Sequence, residues 1–221
     1  MILKESLKSL EFFSTLDDAQ IDNICAISSV NTYTSGYVLY YENQNSTHLQ
    51  FLVNGLAKAY KIDKNENEIF LYHITKDSIL SEITDFKSNS LNTFSNLMLQ
   101  EESIVISIDY KRFKAQYLDK QMLCVELASE VLKRSLKMQD LLNREFIFDA
   151  VSKVAMMLDT DLNIFNKIKR HDISLMLHIQ PATLSRVLNR LKRNNIIGIM
   201  QGKVDVLDKE ALRDIYDEEV L

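Results

Sequence analysis

The stretch Q-P-A-T-L-S-R-V-L-N-R-L-K-R (residues 180–193) holds side chains suited to chemistry on a polyanion. Wound as a helix at about 100° per residue, it places Leu184, Val187, Leu188 and Leu191 on one side, the i, i+3, i+4, i+7 stripe of a buried face. Ala182, Arg186, Asn189 and Arg193 fall opposite, with Ser185 and Arg190 flanking them. An arginine guanidinium can grip guanine O6 and N7 with two parallel hydrogen bonds. Small residues near the start let the helix approach closely. First-turn N–H groups, with the hydroxyls of Thr183 and Ser185, can meet phosphate. Pro181 is the only proline in the chain. Its missing N–H and fixed φ suit the first position of a helix, so it marks the helix start, with Gln180 just before it.

Such a helix needs a platform. The segment H-D-I-S-L-M-L predicts a short helix whose apolar face is Ile173, Met176 and Leu177, and H-I-Q predicts a turn. Helix, three-residue turn, helix is a helix-turn-helix, with the second helix aimed at the major groove. N-N-I-I-G-I-M-Q-G-K-V-D-V-L-D then alternates like a hairpin. With Gln201-Gly202-Lys203 at its tip, it reads as a wing that can touch the DNA backbone. F-D-A-V-S-K-V-A-M-M-L-D-T-D-L predicts a helix before this unit, and K-E-A-L-R-D-I-Y-D-E-E-V-L a last acidic helix after it.

Upstream, from Asp119 to about Asn143, Cys124, Ala128, Val131, Ser135, Met138 and Leu142 recur at alternating steps of four and three. This is a heptad seam with several small residues, and a second copy of the chain is the preferred partner for it. Packing on the chain's own N-terminal domain is the alternative. Residues 30–110 read as short strands rich in Val, Ile, Tyr, Phe and Thr, separated by polar turns such as E-N-Q-N-S-T and D-K-N-E-N-E. They suggest a barrel, roll or sandwich. A short helical lead precedes them, with D-D-A-Q at 17–20 as a helix start.

Charge supports the same division. The net charge is −5, yet residues 167–203 hold eight basic residues (Lys167, Lys169, Arg170, Arg186, Arg190, Lys192, Arg193 and Lys203) against one acid, Asp172. A local patch of that sign serves phosphate contacts, which release counterions and supply most of the binding free energy. Cys25 and Cys124 are far apart, which suggests a reducing cytosol and no cysteine-built metal centre. His48, His73, His171 and His178 sit in no motif that pairs them with a nucleophile or a metal, so an enzyme is not expected. No apolar run approaches the ~20 residues of a membrane span, and the N-terminus has no signal-peptide pattern. A cytoplasmic protein with no membrane contact is expected.

Nearly the whole chain resembles the Crp–Fnr family of transcription regulators. The resemblance rests on F-F-S-T-L, on Y-T-S-G-Y-V-L-Y at 33–40, and on L-Q-F-L-V-N-G-L-A-K-A-Y at 49–60. It continues through K-D-S-I-L-S-E-I at 76–83, I-D-Y-K-R-F at 108–113, H-D-I-S-L-M-L-H-I-Q-P-A-T-L-S-R at 171–186 and N-I-I-G-I-M-Q-G-K at 195–203. The T-x-S-R ending in Arg186 is its most specific piece. It implies an α+β chain: a cyclic-nucleotide-binding-type β-roll, a dimer through the long helix, and a C-terminal winged helix-turn-helix on a palindromic site.

The departures are as informative. The cAMP branch uses a Gly-Glu pair and an Arg-Ser pair that holds the cyclic phosphate. Here the first pair is Ser81-Glu82, the second place falls near Thr93-Phe94, and no arginine lies between Lys61 and Arg112. An anionic phosphate without a cation is costly to bury, so cAMP is not expected. The oxygen-sensing branch has an N-terminal cysteine cluster; only Cys25 lies in that third, so an iron–sulfur centre is not expected either. Haem ligation by Met, His or Cys stays open, with His48 and His73 in the roll. His178 stands where the helix-helix turn usually has glycine, and His tolerates the left-handed conformation better than most residues. Pro181-Ala182 replaces a pair whose Glu accepts from cytosine. The Ala182 methyl can instead meet a thymine methyl, so the base pair facing it is expected to be A·T.

The expected organisation is a β-roll sensor at 1–118, a dimerisation helix at 119–143 and a winged DNA-binding domain at 144–221. The expected DNA-binding residues are Gln180, Pro181, Ala182, Thr183, Ser185, Arg186, Asn189, Arg190, Lys192 and Lys203. The expected partners are double-stranded DNA and a second copy of the chain, with RNA polymerase as a further candidate. The competing reading is a ligand-binding module acting on a protein partner without specific DNA binding. The effector is not legible in the sequence, with nitric oxide, a redox signal or a small ligand as candidates.

Overall fold

A computed structural model describes residues 2–83 and 85–217. The chain divides into two compact units, Met1–Lys137 and Met138–Leu221.

The first unit opens with helix α1 (Ile2–Ser9), a 3-10 turn at Glu11–Phe13 and helix α2 (Asp18–Cys25). The D-D-A-Q start is a reciprocal capping box. Gln20 N–H donates to Asp17 Oδ1 at 2.8 Å and Asp17 N–H to Gln20 Oε1 at 2.9 Å, which satisfies donors that the helix itself leaves open.

Ten strands follow among the described residues: β1 (Ser28–Tyr33), β2 (Val38–Tyr40), β3 (Asn45–Ser46), β4 (His48–Asn54), β5 (Leu56–Ile62), β6 (Glu68–Thr75), β7 (Ser78–Ile79), β8 (Leu91–Asn92), β9 (Asn96–Leu99) and β10 (Ser103–Asp109). They form two four-stranded sheets, β1-β10-β4-β7 and β2-β9-β5-β6, with β3-β8 as a small pair. Every pairing is antiparallel. The run L-Q-F-L-V-N-G-L-A-K-A-Y changes sheet at Gly55. Its φ is +119°, and a Cβ there would lie 2.1 Å from Ser103 Oγ, so only glycine fits.

One apolar cluster joins α1, α2 and the outer face of the first sheet around Phe13, Phe51, Ile106 and Ile108. A second fills the space between the sheets with Tyr40, Leu52, Tyr72, Leu80, Leu97, Leu99 and Val105. Helix α3 (Tyr110–Gln116) and a 3-10 turn at Leu118–Lys120 lead out of the roll.

The long helix α4 spans Cys124–Phe146, not 119–143. Gln121 and Leu123 hold left-handed φ values of 62° and 58°, and such residues cannot continue a right-handed helix. Within the first unit, one side of α4 faces the roll. Leu123 and Leu127 enter the first core cluster. Arg134 Nη1 donates to Ser81 O at 2.8 Å, and Nη2 to Ile79 O at 2.9 Å. Lys137 Nζ donates to His73 O at 2.8 Å. The predicted seam lies about 100° away, and all six of its residues are exposed. Val125, Leu132 and Leu136 form a second exposed apolar stripe beside it, which the heptad count passed over.

The second unit contains α5 (Ala150–Thr160), α6 (Leu162–Lys167), α7 (Arg170–Met176), α8 (Pro181–Arg193), β11 (Ile197–Met200), β12 (Lys203–Val206) and α9 (Lys209–Asp217). The single helix predicted over F-D-A-V-S-K-V-A-M-M-L-D-T-D-L breaks at Asp161, whose φ of −129° ends α5 before α6 begins. The predicted last helix beyond Asp217 lies outside the described residues. No helix among the described residues is long and apolar enough to cross a membrane.

Candidate nucleic-acid interface

Helix α8 begins at Pro181, with Gln180 at the N-cap. Its buried side is Leu184, Val187, Leu188 and Leu191, none more than 7% exposed. Ala182, Ser185, Arg186, Asn189, Arg190, Lys192 and Arg193 are exposed, and Thr183 is half-buried at the edge. Burying four branched side chains stabilises the unit by roughly 1.5–3 kcal/mol each. The apolar stripe therefore fixes which way the guanidinium groups point.

The turn before α8 is built by His178. Its φ is 50°, and it follows the last residues of α7. Ile179 N–H donates to Ser174 O at 3.0 Å and His178 N–H to Leu175 O at 3.1 Å. This is the paired bonding that closes a helix on a left-handed residue. Asn195 closes α8 in the same way, with φ 57° and Ile196 N–H donating to Leu191 O at 3.0 Å.

The wing is a two-residue hairpin. Met200 pairs with Lys203, and Gln201 and Gly202 take φ values of 49° and 81°. Positive φ at both central positions matches the strand twist and favours glycine. Lys203 stands exposed at the tip. The hairpin is tied down by Asn166, which the sequence did not single out, and by Arg170. Asn166 Nδ2 donates to Val204 O at 2.8 Å, and Val204 N–H donates to Asn166 Oδ1 at 2.7 Å. Arg170 Nη2 donates to Gly202 O at 2.7 Å and Nη1 to Phe165 O at 3.2 Å, while its guanidinium lies 4.3 Å from the Phe165 ring centre. Burial lowers the pKa of Arg170 from its ordinary value. Arg170, counted in the basic patch, is therefore spent on holding the wing.

The rest of the patch stays outward. Among the described residues, Arg186, Lys192, Arg193 and Lys203 make no ion pair. Arg190 differs, because its charge reaches Asp149 at the start of α5. Burial pushes the Asp149 carboxyl up, but N–H donors from Ser152 and Val151, helped by Arg190, outweigh it and hold it below the usual range.

Two measurements follow from this geometry. Asn166→Ala should cost about 1–3 kcal/mol, because it strips two hydrogen bonds and leaves the Val204 N–H unpaired; the thermal midpoint reads this. Lys203→Ala should leave that midpoint unchanged and lower the salt slope of DNA binding by about one per wing. An unchanged slope would remove Lys203 from the interface.

Residues 153–215 match the Crp-like helix-turn-helix domain. No curated protein matches the chain closely enough in sequence to count as a relative. Solved structures share its fold across nearly the full length. A mutant CooA from Carboxydothermus hydrogenoformans superposes with a TM-score of 0.74 at 15% identity, covering 94% of each chain. FixK2 from Bradyrhizobium japonicum gives 0.69 at 16% identity, covering 86% of this chain and 97% of that one. A protein from Eubacterium rectale assigned to the crp/fnr family gives 0.67 at 16% identity, covering 95% and 99%. At these identities the likeness shows fold alone. Residues 153–215 are thus a Crp-like helix-turn-helix domain, and the whole chain has the fold of a Crp/Fnr-type DNA-binding transcription regulator.

Proposed function

We propose that the chain acts in the cytoplasm as a homodimer that reads a palindromic promoter site in response to a signal other than cAMP. The carrying observation is the two-sidedness of α8: four branched residues inside, with Ala182, Ser185, Arg186 and Asn189 outside. Arg186 reads a guanine in each half-site, and Ala182 faces an A·T pair. Thr183 and Ser185 meet phosphate or base. Gln180 and Pro181 hold the helix start against the duplex, and Asn189, Arg190, Lys192 and Lys203 mainly meet the backbone. RNA polymerase is the natural partner of the promoter-bound dimer.

The dimer runs through α4. A single chain leaves Val131, Met138 and Leu142 at least 38% exposed along the seam, which a second copy would cover. Dyad-related α8 helices then enter major grooves about one turn apart, ~34 Å.

The roll argues against a cyclic phosphate. Phe94 N–H and Ser95 Oγ both donate to the buried Glu82 carboxylate, the latter at 2.7 Å. An incoming phosphate would meet that carboxylate with no arginine from the intervening strands to offset it. His73 Nε2 is hydrogen-bonded to Gln100 Oε1 at 2.8 Å, and His48 Nδ1 to Thr47 Oγ1 at 3.1 Å. These pairings favour structural roles for both over haem ligation.

The test is a binding selection on random duplex, followed by salt titration of the selected palindrome against a scrambled sequence. The expected result is a twofold-symmetric site with a guanine and an A·T pair in each half, bound at least a thousandfold more tightly than scrambled duplex. Equal binding to both sequences would favour a module that acts on a protein partner.

A further inference from the structure

The space between the two sheets is already filled. Tyr40, Tyr72, Leu80, Leu97 and Leu99 pack there, and Tyr40 Oη donates to Leu80 O at 2.7 Å. A cleft of about 390 Å³ opens on the other side of Tyr40. Its floor is a polar row across three paired strands, Ser29 on β1, Ser107 on β10 and Gln50 on β4. Asn45, His48 and Thr93 rise around it, and Leu39 and Tyr40 give it one apolar wall.

The volume falls in the range of roughly 300–1,000 Å³ typical of small-molecule sites. The lining is unusual for such a site: hydroxyls and amides dominate, and no lining residue is Lys, Arg, Asp or Glu. The lining offers a charged ligand no Lys, Arg, Asp or Glu as a counter-charge. A neutral ligand bearing several hydroxyl or amide groups would meet hydroxyl and amide partners on the polar floor and sides, and Leu39 and Tyr40 on the remaining wall.

The cleft also adjoins the segment that α4 grips. Ser81 Oγ donates to His48 O at 3.3 Å and accepts from Gln50 N–H at 2.9 Å. Thr93 precedes Phe94, whose N–H donates to Glu82. The Leu80 carbonyl that accepts from Tyr40 lies between the Ile79 and Ser81 carbonyls held by Arg134. A ligand that displaces Tyr40, Gln50 or His48 thereby displaces the carbonyls that anchor the long helix. We propose that this cleft is the effector site, that it takes a small uncharged polyhydroxylated or amide-bearing molecule, and that Arg134 relays occupancy to α4. The relay rests on the regulator reading above; occupancy of the cleft does not.

The full chain is tested by saturation-transfer NMR with myo-inositol, glucose and N-acetylglucosamine. Glucose 6-phosphate, glucosamine and cAMP serve as charged counterparts. At least one neutral probe should bind saturably at millimolar concentration or better, with charged counterparts about tenfold weaker or more. Asn45→Trp, on the exposed rim, should block binding without lowering the thermal midpoint. Binding in Arg134→Met should persist while its effect on DNA affinity is lost. The assignment is overturned if no neutral probe binds, if charged probes bind equally well, or if Asn45→Trp leaves binding intact. Saturable binding in a chain that ignores DNA would uphold the site and sink the regulator reading.

Discussion

Arg186→Ala is expected to cut sharply the preference for the palindrome over scrambled duplex while the protein stays folded. The side chain is exposed and makes no ion pair among the described residues, so its removal leaves no buried partner stranded. Alanine is the best helix former, and surface changes of this kind usually lie within about 0.5 kcal/mol. The loss on DNA is different in kind. A bidentate arginine–guanine pair discriminates by about 1–3 kcal/mol, and a twofold dimer uses it twice. Selectivity should therefore fall by roughly 2–6 kcal/mol, about thirtyfold to ten-thousandfold. Parallel titrations of both duplexes, with circular dichroism as the folding control, read the outcome. If both affinities fell equally, Arg186 would be a phosphate contact, and the base readout would have to move to Asn189 or Ser185.

The second large effect concerns the seam. The double change Val131→Glu with Met138→Glu should leave the chain folded and monomeric. Both side chains are substantially exposed in the single chain, so the monomer loses little. In a dimer packed along the seam, each glutamate would approach its symmetry mate in a desolvated groove, and a like-charge pair there is strongly unfavourable. With two half-sites no longer linked, palindrome affinity should fall by about 10²–10⁴. Sedimentation velocity gives the assembly state, and the same titrations give the affinity. A dimer that survived this pair but dissociated with Leu132→Glu would shift the interface to the neighbouring stripe of Val125, Leu132 and Leu136. Survival of both changes would remove α4 from the interface.

The DNA-reading unit was unusually legible because its signals are local. Pro181 fixes a helix start through its own φ. The leucine spacing assigns inside and outside through the helical period. Gln201-Gly202 sets a tight turn through positive φ. Each inference needs only consecutive residues and the conformations open to them. Boundaries were less secure. The start of α4 depends on Gln121 and Leu123 adopting left-handed conformations, which neither residue type announces.

What the sequence determined by itself was therefore the helix-turn-helix, the hairpin that follows it and the outward face of α8. The tertiary structure alone decided which residues are spent internally. Arg170 and Lys203 carry the same charge in the same patch, yet packing folds one onto Gly202 and Phe165 and leaves the other exposed. Asn166 meets Val204 across 38 positions, and Arg134 meets Ser81 across 53. No period or turn preference encodes such pairs. They arise when separately formed elements bury their apolar faces together and the remaining polar groups take the partners within reach.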